Sequence, residues 1–303
     1  MTFINKRTLR LLITNLSVLF LLPFAGICQK GIEHQIDIIA KTVKGNVGVA
    51  ALNLSTGERF SYKANERYPM QSVYKFPIAI AVLHQIDEGK LTLSQKIHVT
   101  KEDLVTPHQH SPLRDLHPTA DVDISIEELL RYNVSESDGT ACDALIRVLG
   151  GTQKIETYIH SLGIDSIAIA TTEKVMGNDK YAQYKNWCKP DAMVKLLAAF
   201  YQKKILSKAS KDLLLEMMIN TETGLKRIKG LLPKEAVVAH KTGTDFTDET
   251  GMTRATNDVG IVTLPSGTQF IIAIFVSNAS DSTTDREAAI AKIAKATWDY
   301  WSK

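Results

Sequence analysis

Residues 47–54 form an apolar run of β type. Ser55-Thr56-Gly57-Glu58 after them is a turn, from which residues 59–62 can pair back as a hairpin. From Ser72 the pattern becomes helical, with apolar residues recurring through Phe76, Ile78, Ile80, Val82 and Leu83. Helical segments then dominate to about Met218, over 125–131, 141–148, 152–161, 191–203 and 208–218; the first opens with Ser125 and Glu128 at capping-box spacing. Strands return at 236–241, at 258–264 and, after the turn Pro265-Ser266-Gly267, at 268–276. A closing helix over 285–301 has Ala288, Ile290, Ile293, Ala294 and Trp298 as its apolar positions.

Strands at both ends and helices between them predict an α/β (α+β) fold. Its five strands form one antiparallel sheet flanked by terminal helices, with an all-helical domain inserted. The expected division is an α/β domain of residues 29–68 and 219–303 and a helical domain of residues 69–218. A pocket belongs between two such parts.

The first 28 residues stand apart. Lys6, Arg7 and Arg10 precede an apolar run from Leu11 to Phe24 and the small residues Ala25, Gly26 and Cys28, the layout of a secretory signal peptide cut between Cys28 and Gln29. The run is short for a hydrocarbon core of ~30 Å, so export to the periplasm as a monomer without membrane attachment is the expectation. Lipidation at Cys28 fits less well, because Ile27 is large for the residue before a lipidated cysteine. Residues 1–28 carry three basic and no acidic side chains, so the formal net charge of +3 falls to zero without them. No basic excess then remains to attract nucleic acid or anionic lipid. Cys142 and Cys188 can pair in an oxidising compartment or stay as buried thiols; the sequence leaves both open.

Three motifs carry chemistry. In Ser72-Val73-Tyr74-Lys75, residues three apart at a helix start share a face, so the lysine amine can take the serine proton. The helix N-terminus adds N–H groups for an oxyanion. In Ser137-Asp138-Gly139, Ser137 is a candidate proton shuttle to a leaving nitrogen, while Asp138 suits a helix cap. Lys241-Thr242-Gly243-Thr244 ends a strand: Lys241 offers charge to a carboxylate, Thr242 a hydroxyl, Gly243 close backbone approach, and Thr244 a second oxyanion N–H. Each alone is commonplace as a surface serine, a capped helix or an edge-strand lysine.

In this order and on these elements, the set resembles class A β-lactamases and penicillin-binding proteins. Glu173-Lys174-Val175-Met176 looks like the class A loop glutamate, which implies a base that deprotonates a deacylating water. The segments Pro69-Met70-Gln71-Ser72, Val134-Ser135-Glu136-Ser137-Asp138, Gln183-Tyr184-Lys185-Asn186-Trp187, Ala239-His240-Lys241-Thr242-Gly243-Thr244 and Ala255-Thr256-Asn257-Asp258-Val259-Gly260 resemble the PER/VEB branch. The resemblance covers the chain after residue 28. It implies a β-lactamase/transpeptidase-like fold, a metal-free and cofactor-free mechanism, a small-molecule β-lactam substrate and a bias toward cephalosporins. It also implies that Arg227 helps hold the substrate carboxylate and that His110 stands where an aromatic wall flanks the ligand.

The chain departs from the family pattern at Gly139, where an asparagine usually bonds the substrate's acylamino group. It departs at Gly177, where a second polar residue usually positions the water, and at Thr171, where an arginine often closes the loop. A loop held through Gln183, Tyr184 and Trp187 is the expected substitute. Other chemistries fit less well. His108, His110 and His117 cluster, but Pro112 occupies the aspartate position of a zinc β-lactamase motif. An esterase would need a Gly-x-Ser-x-Gly elbow. A D,D-peptidase would share the first three motifs without needing Glu173, and a β-lactam sensor would need transmembrane helices and a signalling domain.

Overall fold

The structure is a computed structural model describing residues 22–303, with side chains from residue 31. The basic start and most of the apolar run of the signal segment lie outside the described residues. The helices are α1 (Leu22–Ala40), α2 (Lys75–Asp87), α3 (Pro112–Leu116), α4 (Ile126–Val134), α5 (Gly139–Leu149), α6 (Thr152–Ser161), α7 (Glu173–Asn178), α8 (Pro190–Gln202), α9 (Lys208–Ile219) and α10 (Thr283–Trp301). The strands are β1 (Asn46–Asn53), β2 (Arg59–Tyr62), β3 (Tyr68–Pro69), β4 (Lys96–Val99), β5 (Val122–Ser125), β6 (Ile167–Ala168), β7 (Trp187–Cys188), β8 (Val238–Thr244), β9 (Thr256–Thr263) and β10 (Gln269–Ser277).

The five-stranded antiparallel sheet has the order β2-β1-β10-β9-β8. Its central strand β10 is apolar at nearly every position because both faces are covered. Ile271, Ala273 and Phe275 join the core shared with α2 and α8, while Phe270, Ile272, Ile274 and Val276 pack under α1 and α10. Each such side chain contributes roughly 2 kcal/mol by leaving water. The closing helix begins where Ser282 accepts a hydrogen bond from the Asp285 N–H (3.1 Å).

Between β2 and β8 the chain builds the helical part around α2, which is buried continuously from Lys75 to Leu83. This part is not purely helical: β4 pairs with β5, and β3-β7-β6 form a second small sheet. Runs of two to four residues are too short to show a strand period, which is why the pattern misses them. The strand at the site also differs from expectation. β8 runs on to Thr244 rather than stopping at Lys241, so Lys241-Thr242-Gly243-Thr244 forms the last four residues of this edge strand, as expected of a motif that ends a strand.

Candidate active site

Ser72 sits in a 3-10 turn, Gln71–Tyr74, that leads into α2, rather than on the α-helix itself. Gln71 before it is left-handed (φ 45°), as is Ser137 (φ 60°), and both strained residues face the same cavity. Lys75 Nζ donates to Ser72 Oγ (3.0 Å) and to the Ser137 carbonyl (2.7 Å). It also lies 3.0 Å from Glu173 Oε1 as an ion pair, but off hydrogen-bonding alignment, so that buried oxygen has no protein donor aimed at it. Lys241 Nζ donates to Ser137 Oγ (2.8 Å). Four motif residues and Glu173 thus form one connected cluster, and all of it but Lys241 lines a cavity of about 470 Å³.

The edge strand is pressed against the turn that carries Ser72. A Cβ on Gly243 would fall 2.3 Å from the Met70 carbonyl oxygen, so glycine serves this packing rather than a ligand's approach. Asn257 on β9 secures the same junction by donating to the carbonyls of Pro69 (2.8 Å) and Met70 (3.1 Å). Asp245 donates its N–H across to Ala255. By strand alternation the Thr244 N–H faces the opposite way, off the free edge of β8. Thr242 and Thr244 line the cavity.

The charges respond to burial. Desolvation is the largest influence on Lys75 and works to lower its pKa, but the adjacent Glu173 carboxylate together with further buried neighbours outweighs it and leaves the value raised. Lys241, fully buried, is pushed well below the usual lysine range by desolvation and then by Lys75. Burying two lysines costs several kcal/mol each unless partners compensate. The first gains a carboxylate; the second gives up basicity.

The segment before Glu173 and α7 is fixed by buried side chains. Asn186 Oδ1 accepts from the N–H groups of Ala170 (2.8 Å) and Thr171 (3.0 Å), and its Nδ2 donates to the Thr171 carbonyl (2.9 Å). Asp143 on α5 accepts from the N–H groups of Glu173 (2.8 Å) and Lys174 (2.9 Å). Burial and then Glu173 push the Asp143 carboxyl up to about 7. Since the folded value exceeds the unfolded 3.8, this group's stabilisation is full below about pH 4 and is lost as the pH rises through 7. Asp143→Asn is therefore expected to flatten the pH dependence of unfolding free energy across that window. Urea unfolding at pH 5 and pH 8 checks this, and an unchanged slope would refute it.

The Beta-lactamase enzyme family matches residues 31–301. The chain belongs to the β-lactamase enzyme family. β-Lactamase VEB-1 of Pseudomonas aeruginosa is 39% identical over 294 residues, 96% of this chain and 97% of its own. Extended-spectrum β-lactamase PER-1 of the same organism is 38% identical over 269 residues, 89% of this chain and 87% of its own. A solved β-lactamase from Chitinophaga pinensis is 46% identical, with a TM-score of 0.86, covering 89% of this chain and 98% of that one. This β-lactamase is thus a class A serine hydrolase acting on β-lactams, near the PER and VEB enzymes. The D,D-peptidase and sensor alternatives give way to it.

Several expectations change in this β-lactamase. Gly139 does not line the cavity. It is buried at the start of α5, its N–H donates to the His110 carbonyl (3.1 Å), and a Cβ there would meet Val105 at 3.1 Å. The adjacent Asp138 is the helix cap, accepting from the Ala141 N–H (2.8 Å). Lys241 is buried behind Ser137 and does not present its charge to the cavity. Arg227 is buried too; its guanidinium reaches the site through Thr244 Oγ1 (2.8 Å) and is neutralised by Glu287 (3.1 Å). His110 is exposed on the cavity rim, its ring 2.8 Å from the Glu136 carbonyl.

Gln183 ties the loop to Gln71 (2.7 Å) and Asp245 (3.0 Å), as expected, and Tyr184 bonds Asn278. Trp187 instead lies under the Arg67 guanidinium at 3.9 Å. Among the described residues no His, Cys, Asp and Glu cluster is arranged for a metal. Cys142 and Cys188 are free and buried. The sequence reading missed Arg254, on the cavity wall in ion pairs with Asp245 and Asp248, as well as Asp143 and Gln109.

Proposed function

We propose that this chain opens β-lactams through an acyl-enzyme on Ser72. Ser72 Oγ attacks the lactam carbonyl while the Lys75–Glu173 pair takes up its proton, and the N–H groups of Ser72 and Thr244 stabilise the oxyanion. The C–N bond breaks as Ser137 protonates the nitrogen; Lys241, whose lowered pKa makes its ammonium a readier donor, replaces that proton, and the proton taken from Ser72 passes back through this cluster to restore Lys241 and leave Glu173 ionised. A water then attacks the ester, giving its proton to Glu173. Ser72 leaves with a proton returned to it, so the cycle consumes one water and releases the ring-opened acid.

The observation that carries this reading is the Lys75 amine, 3.0 Å from both Ser72 Oγ and Glu173 Oε1. It holds a nucleophile and a carboxylate on one charge. The Glu173 oxygen without an aligned protein donor is where a water hydrogen bonds. The Thr242 and Thr244 hydroxyls, with Arg227 behind Thr244, suit the substrate carboxylate, and His110 flanks the bound ring system. In this reading the sheet-bearing residues 29–68 and 219–303 and the helical residues 69–218 are two domains closing on the substrate. The chain is exported to the periplasm after loss of residues 1–28 and acts as a monomer.

We also infer a preference for cephalosporins, which rests on the resemblance of the sequence motifs to the PER/VEB branch. Comparing kcat/KM for a penicillin, a cephalosporin and a carbapenem tests it. The cephalosporin is expected to lead by about tenfold, or 1.4 kcal/mol of transition-state binding. A leading penicillin would overturn the preference. A stoichiometric burst without turnover on all three would overturn the hydrolytic cycle.

A further inference from the structure

Gly177 lies in α7, four residues after Glu173, with a backbone that is not left-handed, so its glycine is not a matter of conformation. It is a matter of space. A Cβ there would fall 2.1 Å from Gln109 Oε1, 2.4 Å from Gln109 Cδ and 2.9 Å from Thr106 Oγ1. The room that a side chain at 177 would take is filled from another segment by a polar amide.

That amide is held in one orientation. Gln109 Oε1 accepts from the Thr106 N–H and hydroxyl, both at 3.1 Å, and Nε2 donates to the Glu173 carbonyl at 2.5 Å. A backbone N–H on one side and a backbone carbonyl on the other allow only this assignment of oxygen and nitrogen. The supporting loop is fixed in turn, because Arg114 Nη1 donates to the carbonyls of Thr106 (2.6 Å) and Gln109 (2.8 Å). Asp143 grips the Glu173 N–H (2.8 Å) and Gln109 its carbonyl, so the peptide groups on both sides of the Glu173 Cα are pinned by different side chains. Gln109 also lines the cavity.

We propose that Gln109 is a positioning residue for Glu173 in the hydrolytic half of the reaction, serving from the neighbouring loop in the space that a side chain at 177 would take. This deepens the reading of Glu173 as the water-activating base and rests on it. Gln109 and Gly177 form a reciprocal pair: the amide requires the glycine, and the glycine makes the amide necessary.

The test separates acylation from deacylation by stopped-flow and intact-mass measurements with a chromogenic cephalosporin. The variants are Gln109→Met, Gly177→Asn, Gln109→Ala/Gly177→Asn and Glu173→Ala. Gln109→Met keeps the volume and loses the hydrogen bonds. It is expected to slow deacylation about tenfold while leaving acylation within about threefold, so that acyl-enzyme accumulates. Gly177→Asn alone collides with Gln109 and is expected to slow deacylation as well. Removing the Gln109 side chain in the double variant is expected to relieve that defect and recover deacylation.

Equal slowing of both steps in Gln109→Met, unchanged deacylation, or a double variant no faster than Gly177→Asn would each overturn the proposal. Glu173→Ala separates the two layers. If it accumulates acyl-enzyme while Gln109→Met does not, only the role of Gln109 fails; if Glu173→Ala itself deacylates normally, the underlying reading fails.

Discussion

Ser72→Ala is expected to leave a folded protein that forms no covalent adduct with any β-lactam. Among the described residues it is the only hydroxyl that receives a hydrogen bond from Lys75 Nζ, and it sits on the turn where the chain is strained at Gln71. Ser137 Oγ is the other hydroxyl in the cluster, but it is engaged by Lys241 (2.8 Å) and placed as a donor rather than an attacker. Removing a nucleophile from a coupled set costs the full cooperative effect, so kcat/KM should fall by at least ~10⁴-fold. The lost group is one half-buried oxygen, so the melting temperature should change little. Intact-mass spectrometry after incubation with a cephalosporin decides the matter; an adduct on the variant would move the nucleophile elsewhere.

Glu173→Ala is expected to acylate and then stall, giving an adduct that persists after unbound substrate is removed. A general base contributes about 10²–10⁴-fold, and loss of the residue that orients the water places deacylation at the upper end. Acylation should survive for a reason visible in the charges. The carboxylate is the foremost of the groups that raise the Lys75 pKa against burial. Without it desolvation prevails, the amine falls toward its neutral form, and neutral Lys75 can accept the Ser72 proton. Left charged instead, a buried and unpaired ammonium would cost about 3–5 kcal/mol. The stability loss in the variant should therefore shrink as the pH rises. Normal turnover by Glu173→Ala would remove the carboxylate from the mechanism.

Long, regular stretches of this fold were legible in the sequence. The unbroken apolar run of β10 and the two-sided burial of α2 leave a periodic record, because every residue reports the same environment. Short strands such as β3 and β6 leave none. The cluster of Ser72, Lys75, Ser137 and Lys241 was legible because each residue sits in a compact local motif whose spacing reflects one turn or one strand. Asp143, Gln109 and Asn186 were not, since each is a single polar residue in an ordinary helix or loop whose meaning lies in a contact 15 to 64 positions away. Gly177 was noticed as a departure, but its cause lay on another segment. Gly139 was noticed as a departure too, and the structure buries it at the start of α5, away from the residues that line the cavity.

The edge position of β8 ties chemistry to register. Thr242 and Thr244 face the cavity because they are two apart, and a slip of one residue against β9 would turn both away at once. Insertions or deletions within β8 are therefore forbidden to any descendant that keeps its activity. The connection over residues 245–255 leaves the regular ladder after the Asp245–Ala255 hydrogen bond, held beyond it by isolated bridges, and it supplies Phe246 and Arg254 to the same wall. One wall of the cavity is thus set by strand register, and the wall beside it is lent by a connecting segment whose side chains are placed outside the regular pairing.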